Sequence, residues 1–247
     1  MTGATLPYCG TPPVPGALLA RFNLDPVLLG ALLLLFVLLL RAAPRGQRAV
    51  AAIGGLVTAT ALLSPLCALS VALFSARIAQ HMVLVLIAAP LVALALPPLR
   101  PGRARFELWG GALAFLIALW FWHMPWPYDA TFTSTALYWT MHLSVFGSAL
   151  LLWHPLLHAP QALSLEALAA GCASSVQMGL LGAVLAGAQR PLFFPHLTTT
   201  QVWGLSPLAD QQLGGVLMWV PGIALFLWVA LRSLSRLRRR LETPQLP

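Results

Sequence analysis

The chain contains no lysine; its fourteen basic residues are all arginine. Without a lysine there is no amine for a Schiff base, which excludes a seven-helix retinal protein. Charge of either sign is scarce. Only 8% of the 247 residues are charged and 59% are hydrophobic, whereas a soluble domain carries about 25% charged residues. A chain of this composition cannot cover a water-facing surface, so its solvent is largely lipid. The three cysteines, Cys9, Cys67 and Cys172, have no CxxC spacing, which removes zinc and thioredoxin motifs. There is also no serine-protease elbow, no HExxH and no phosphate-binding loop, and no pair of buried carboxylates for acid–base work. Enzymatic activity is therefore not expected. The net charge of +8 does not point to nucleic acid, because the arginines sit at the ends of apolar segments, where membrane topology puts them.

What is present is a series of apolar runs separated by Pro, Gly and Arg clusters. They predict an all-α polytopic membrane bundle of about seven transmembrane helices, at 25–42, 49–70, 76–98, 107–124, 135–157, 163–187 and 211–232. Each is near the roughly 20 residues that cross a hydrocarbon core. Ser64-Pro65 is expected to kink the end of the second span or lay it along the interface, and Pro90 and Pro221-Gly222 to bend the third and seventh. The loop with Arg41, Arg45 and Arg48, the loop with Arg100, Arg103 and Arg105, and the tail with Arg232, Arg236, Arg238, Arg239 and Arg240 fall on one side. Only Arg21, Arg77 and Arg190 fall on the other. The positive-inside rule makes the first side cytoplasmic, with the N-terminus outside and the C-terminus inside. Residues 1–24 then form an extracytoplasmic tail, since Met1–Gly16 lacks the basic start of a cleaved leader. Residues 25–232 form the transmembrane domain and 233–247 a basic cytoplasmic tail. Trp122, Trp126, Trp139 and Trp203 fall at the outer interface. Cys9 and Cys67 share that side, where a disulfide, a soft-metal role and simple packing are all open.

With a topology in place, polar residues at membrane depth become informative, because each is costly in hydrocarbon and faces the bundle interior. His81 follows Gln80 and lies one turn after Arg77. His123 closes the fourth span, with Asp129 in the loop beyond. His142 lies two turns into the fifth, one turn below Tyr138, and the seventh opens with Asp210-Gln211-Gln212. All belong to the outer leaflet and come from four helices. Methionines adjoin three of the histidines, at Met82, Met124 and Met141, while Met178 and Met218 lie in the sixth and seventh spans. Thioether with imidazole suits Cu(I). Adjacent helical residues diverge by about 100°, so a copper site would draw ligands from different helices: His81, His142 and one of Met141 or Met218, with His123 near. The alternative is that the methionines fill the core and the histidines bond between helices. His154 and His158 share a helix face at the opposite end and are interrupted by Pro155; they read as interfacial. Glu107 and Glu166 open the fourth and sixth spans, where a carboxylate meets the helix dipole.

The same residues carry a family resemblance. Gln80-His81-Met82 with Ala89-Pro90-Leu91, Trp120-Phe121-Trp122-His123-Met124-Pro125 with Tyr128-Asp129-Ala130, His142 with Trp153-His154-Pro155-Leu156, and Asp210-Gln211-Gln212-Leu213-Gly214-Gly215 with Met218-Trp219-Val220-Pro221-Gly222 are in order and spacing similar to the multi-span CtaG-type cytochrome c oxidase assembly factors. The resemblance spans about residues 50 to 230. It implies a multi-pass protein of the bacterial cytoplasmic membrane whose partners are the lipid bilayer and the subunits of an aa3-type oxidase, with copper insertion as the proposed task. Three alternatives remain: a scaffold that binds no metal, a haem protein with His81 and His142 as axial ligands, and a transporter, for which the third and seventh spans carry Pro or Gly breaks but no inverted repeat is evident. The chain departs from the family pattern at Arg77, where a further histidine is expected, and at Tyr138 and Met141, in place of His and Glu.

Overall fold

A computed structural model describes residues 6–98 and 103–242; Arg100 of the second basic loop and the ends of both tails lie outside the described residues. Among the described residues the regular structure is all helix. The order is α1 (Pro26–Ala42), α2 (Arg48–Leu63), α3 (Leu66–Ala72), α4 (Phe74–Met82), a π-helical stretch (Val83–Ala88), α5 (Ala89–Ala95), α6 (Ala104–Trp122), α7 (Pro125–Ala130), α8 (Thr135–His158), α9 (Ser164–Ala186) and α10 (Pro207–Glu242), with short 3-10 turns between.

Five stretches are long and apolar enough to cross a membrane: Arg45–Leu63, Phe74–Ala95, Ala104–Trp122, Thr135–His158 and Gln161–Ala186; Pro26–Ala42 is apolar but shorter. Large apolar side chains such as Leu33, Leu113, Ile117, Leu143, Val176 and Val184 stand exposed around the bundle, a surface suited to lipid rather than water.

The chain breaks differ from the sequence expectation in three places. The second span ends at Leu63 rather than 70: the chain breaks at Ser64-Pro65, where a kink is among the expectations, and a separate helix, α3, follows, whose residues Cys67, Ala68, Ser70, Val71 and Ala72 are buried. The third span is not a simple bent helix. Pro90 lacks an N–H and crowds the carbonyl one turn earlier, and the wider π turn at Val83–Ala88 precedes it. The indole N–H of Trp153 donates to the Val85 carbonyl at 2.7 Å, capping that turn from α8. α10, which covers the expected seventh span, begins four residues earlier than expected, at Pro207.

Tight crossings fix the bundle. Pro155 in α8 leaves the Leu151 carbonyl without its helical N–H, and Gly111 of α6 comes so close that a Cβ there would lie 2.2 Å from that oxygen. On the other side Gly215 of α10 meets Gly182 and Ala186 of α9, and Gly214 meets Phe74 of α4. Small residues that let helices approach are what lipid-embedded packing requires. These three close approaches go with one core, shared by α4, α6, α8, α9 and α10, that contains Ile78, Phe115, Trp122, Tyr138, Met178 and Phe226.

Candidate functional site

Residues Arg77, Gln80 and His81 share one face of α4 at helical spacing, and all three are buried. His81 meets His142 of α8 with ring centroids 5.2 Å apart, and His123, at the end of α6, at 5.7 Å. His123 Nδ1 donates to the Leu119 carbonyl (2.6 Å) and His142 Nδ1 to the Tyr138 carbonyl (3.0 Å). A carbonyl can only accept, so each Nδ1 carries a proton, and in the neutral form of each ring the free lone pair is on Nε2. Neither Nε2 has a partner, and His81 has none at either nitrogen. Buried polar atoms are nearly always bonded, so four orphaned imidazole nitrogens at one place make this the candidate site. Two imidazoles sharing an ion at about 2.0 Å per nitrogen have centroids roughly 5–6 Å apart. The two pairwise spacings fit that, but among the described residues no three His, Cys, Asp or Glu side chains close on one point as a metal cage.

Arg77, 1% exposed, lies one turn before His81. Its Nη1 donates to Thr131 Oγ1 (2.8 Å), and its guanidinium lies 4.1 Å from the Phe132 ring centre and 5.1 and 5.8 Å from those of Tyr128 and Tyr138. No carboxylate pairs with it among the described residues. The aromatic faces replace a counter-ion. Gln80 donates to the Ala61 carbonyl (2.8 Å), tying α4 to α2, and its Oε1 is unpartnered.

Asp210 instead caps α4. Its carboxylate accepts from the backbone N–H of Phe74 (2.6 Å) and Ser75 (3.1 Å) and from the Ser75 hydroxyl. Gln211 accepts from Leu192 N–H (2.7 Å) and donates to the Leu185 carbonyl (3.3 Å), while Gln212 donates to the Ala188 carbonyl (3.2 Å). This run therefore pins α10 to α4 and to the loop after α9, away from the imidazoles. Met141 and Met218 are wholly buried members of the main core. His154 bonds the Pro97 carbonyl at 2.9 Å, and Glu166 pairs with Arg105 at 2.5 Å.

The other side of Tyr138 reaches the N-terminal segment. Its ring lies on His142 with centroids 4.2 Å apart, and its hydroxyl lies 3.3 Å from Cys9 Sγ and 3.7 Å from Cys67 Sγ. Cys9 and Cys67 form a disulfide with Cα atoms 5.6 Å apart, one of the uses left open for them. Tyr8 packs beside Tyr138 and donates to Asp25 at 2.6 Å. Burial, and then the Asp25 carboxylate, push the Tyr8 hydroxyl up to about 12; the Tyr8 hydrogen bond, then the Val27 N–H, hold Asp25 below its usual range. In α7, between the longer helices, burial raises Asp129 to about 6, and its Oδ1 has no partner. His196, which carried no signal in the sequence, is buried with its Nε2 2.7 Å from the Tyr128 hydroxyl. Burial, with Arg77 adding to it, lowers His196 to about 3. A lone histidine in a loop has no periodicity to betray its burial.

A helical bundle with several helices apolar and long enough to cross a membrane, and with unpartnered imidazoles in its interior, has the character of a membrane protein with a candidate site at those histidines. No curated protein and no solved structure matches the chain. The model of the cytochrome c oxidase caa3 assembly factor family matches residues 31–240. The chain belongs to that family, and its role lies in assembling the oxidase.

Proposed function

We propose that this protein assists copper-centre maturation of the oxidase on the outer face of the bacterial cytoplasmic membrane. In this reading it is a seven-span, multi-pass protein with its N-terminus outside and C-terminus in the cytoplasm, and Cu(I) is its cargo. The orphaned Nε2 atoms of His123 and His142 beside the wholly unpartnered His81 carry the reading. Cu(I) accepts as few as two neutral nitrogen donors, so a His81–His142 pair suffices, with His123 as a second stop. A buried guanidinium one turn away opposes a resident cation, which favours brief occupancy over tight storage.

Cu(I) titration of the detergent-purified protein tests this, beside His81→Ala and His142→Ala. The expected result is loss of one equivalent in each variant. Unchanged stoichiometry in both removes the site, and a Soret band in the purified protein replaces the copper reading with the haem one. The Arg77 position favours a second reading, a scaffold that binds no metal. Copurification of oxidase subunits undiminished by the histidine variants, with no copper bound by the wild type, is its signature.

A further inference from the structure

The disulfide lies in surroundings that suit a different state of sulfur. Cys67 is buried, and both cysteines line a polar pocket of about 160 Å³ together with Tyr8, Arg21 and Asn23. Besides the Tyr138 hydroxyl, Asn23 Nδ2 lies 3.6 Å from Cys67 Sγ, and Asn23 is itself held by its N–H on the Leu63 carbonyl at 2.8 Å. Arg21, whose Nη2 bonds Thr11 Oγ1 at 3.2 Å, brings a positive charge to the same pocket. The sulfurs of a disulfide are poor acceptors with no charge to offset. Thiolates are strong acceptors, and donors with a nearby guanidinium are what stabilise them. The neighbouring carboxylate, Asp25, is engaged by Tyr8 and lines an adjoining apolar cavity rather than this pocket.

We propose that Cys9 and Cys67 are a reducible dithiol centre whose reduced form binds Cu(I) at the mouth of the histidine cluster; this rests on the copper reading above. From the sulfurs the path inward is short: Tyr138 touches both cysteines and lies on His142, and His142 adjoins His81. The chemistry takes two steps. A dithiol reductant of the outer compartment gives two electrons and two protons; its own sulfurs become a disulfide, and the Cys9–Cys67 bond opens to two thiols. Cu(I) then displaces the two protons and forms two Cu–S bonds, with no change in its oxidation state. The product carries one net negative charge, which Arg21 offsets. Two thiolates across a metal at about 2.3 Å each stand roughly 4–4.6 Å apart, so one sulfur has to move outward. Cys9 is the mobile partner, since it lies in the turn closed by Gly10 N–H on the Pro7 carbonyl, whereas Cys67 is inside α3. Oxidised, the centre cannot take copper, so the redox state of the pair gates loading.

The full-length protein in detergent is titrated anaerobically with Cu(I) against a chromogenic Cu(I) chelator, once oxidised and once reduced. Reduced protein is expected to take up one equivalent more than oxidised protein, with a thiolate-to-copper ultraviolet band. Cys9→Ser and Cys67→Ser each lose that equivalent, as does reduced wild type alkylated at its thiols, which covers the case of a variant that does not fold. Arg21→Gln keeps both cysteines and weakens the extra equivalent about two- to fivefold, the effect of one exposed charge. Equal uptake in the two redox states overturns the proposal, and so does unfolding on reduction, read by circular dichroism and gel filtration. The His81→Ala/His142→Ala double variant separates the two readings. If it binds as much as wild type while the redox difference persists, the histidine site fails and the dithiol stands; if it loses copper while no redox difference exists, only the dithiol fails.

Discussion

Replacing Asp210 by alanine removes the acceptor of three hydrogen bonds at the N-terminus of α4, on a residue with no exposed surface. Two of the donors are the first free backbone N–H groups of the helix, which have no intrahelical partner. A lost N-terminal cap costs about 1–2 kcal/mol, and each buried donor left unsatisfied about 1–3 kcal/mol. With no water at hand to substitute, Asp210→Ala is expected to cost about 3–5 kcal/mol. Asp210→Asn keeps one acceptor oxygen and is expected to cost about 1–2 kcal/mol. The assay is equilibrium unfolding in mixed detergent micelles, followed by tryptophan fluorescence, with Ser75→Ala completing a double-mutant cycle. Contact through a shared bond predicts a coupling of about 0.5–3 kcal/mol between the two positions. An alanine variant within about 0.5 kcal/mol of wild type, the range of a neutral surface change, refutes the capping role. So does an asparagine variant that keeps full stability yet loses Cu(I) binding, because that behaviour belongs to a ligand.

Gly111→Ala forces α6 off the Leu151 carbonyl and is expected to cost about 1–3 kcal/mol, whereas Gly110→Ala, facing open space, should stay within about 0.5 kcal/mol; equal effects in thermal unfolding contradict the crossing. Arg77→Gln removes a cation one helical turn from His81. For charges roughly 7 Å apart at an effective dielectric constant of about 20 this is worth about 2 kcal/mol, or roughly 30-fold tighter Cu(I) at the histidines; unchanged or weaker binding by chelator competition goes against it. Asp129, raised by burial to about 6, holds its proton more tightly folded than unfolded. Folded stability should therefore fall as pH rises from about 4 to 6, and Asp129→Asn should remove that part of the slope in pH-dependent melting; an unchanged slope contradicts the shift. Reduction of the disulfide, which joins residues 58 apart, should lower stability by roughly 4 kcal/mol on the chain-entropy account, measured as detergent unfolding with and without reductant. A loss below about 1 kcal/mol shows the tail held by packing alone.

Much of the site was visible as a pattern of expense. His81, His123 and His142 stand out because imidazole in hydrocarbon has to be compensated, and the structure brings the three together. Asp210, Gln211 and Gln212 stand out for the same reason, but polarity says only that a partner exists. It does not say whether that partner is a ligand or a helix end, and here it is a helix end 136 residues away. The second span was read too long because the apolar run continues through Ser64-Pro65 into α3 with no loss of hydrophobicity. The π turn was invisible, since its Val-Leu-Val-Leu-Ile-Ala run fits an α-helix equally well, and the Trp153 bond that caps it comes from another helix.

The helical class and the presence of several apolar helices long enough to cross a membrane were legible in the sequence, because both depend on summed hydrophobicity and its periodicity. Tertiary structure alone decided which nitrogens are left without partners, that Arg77 rests on aromatic rings rather than a carboxylate, and that Cys9 meets Cys67. Those are pairings between distant parts of the chain, which no local pattern of hydrophobicity or charge encodes.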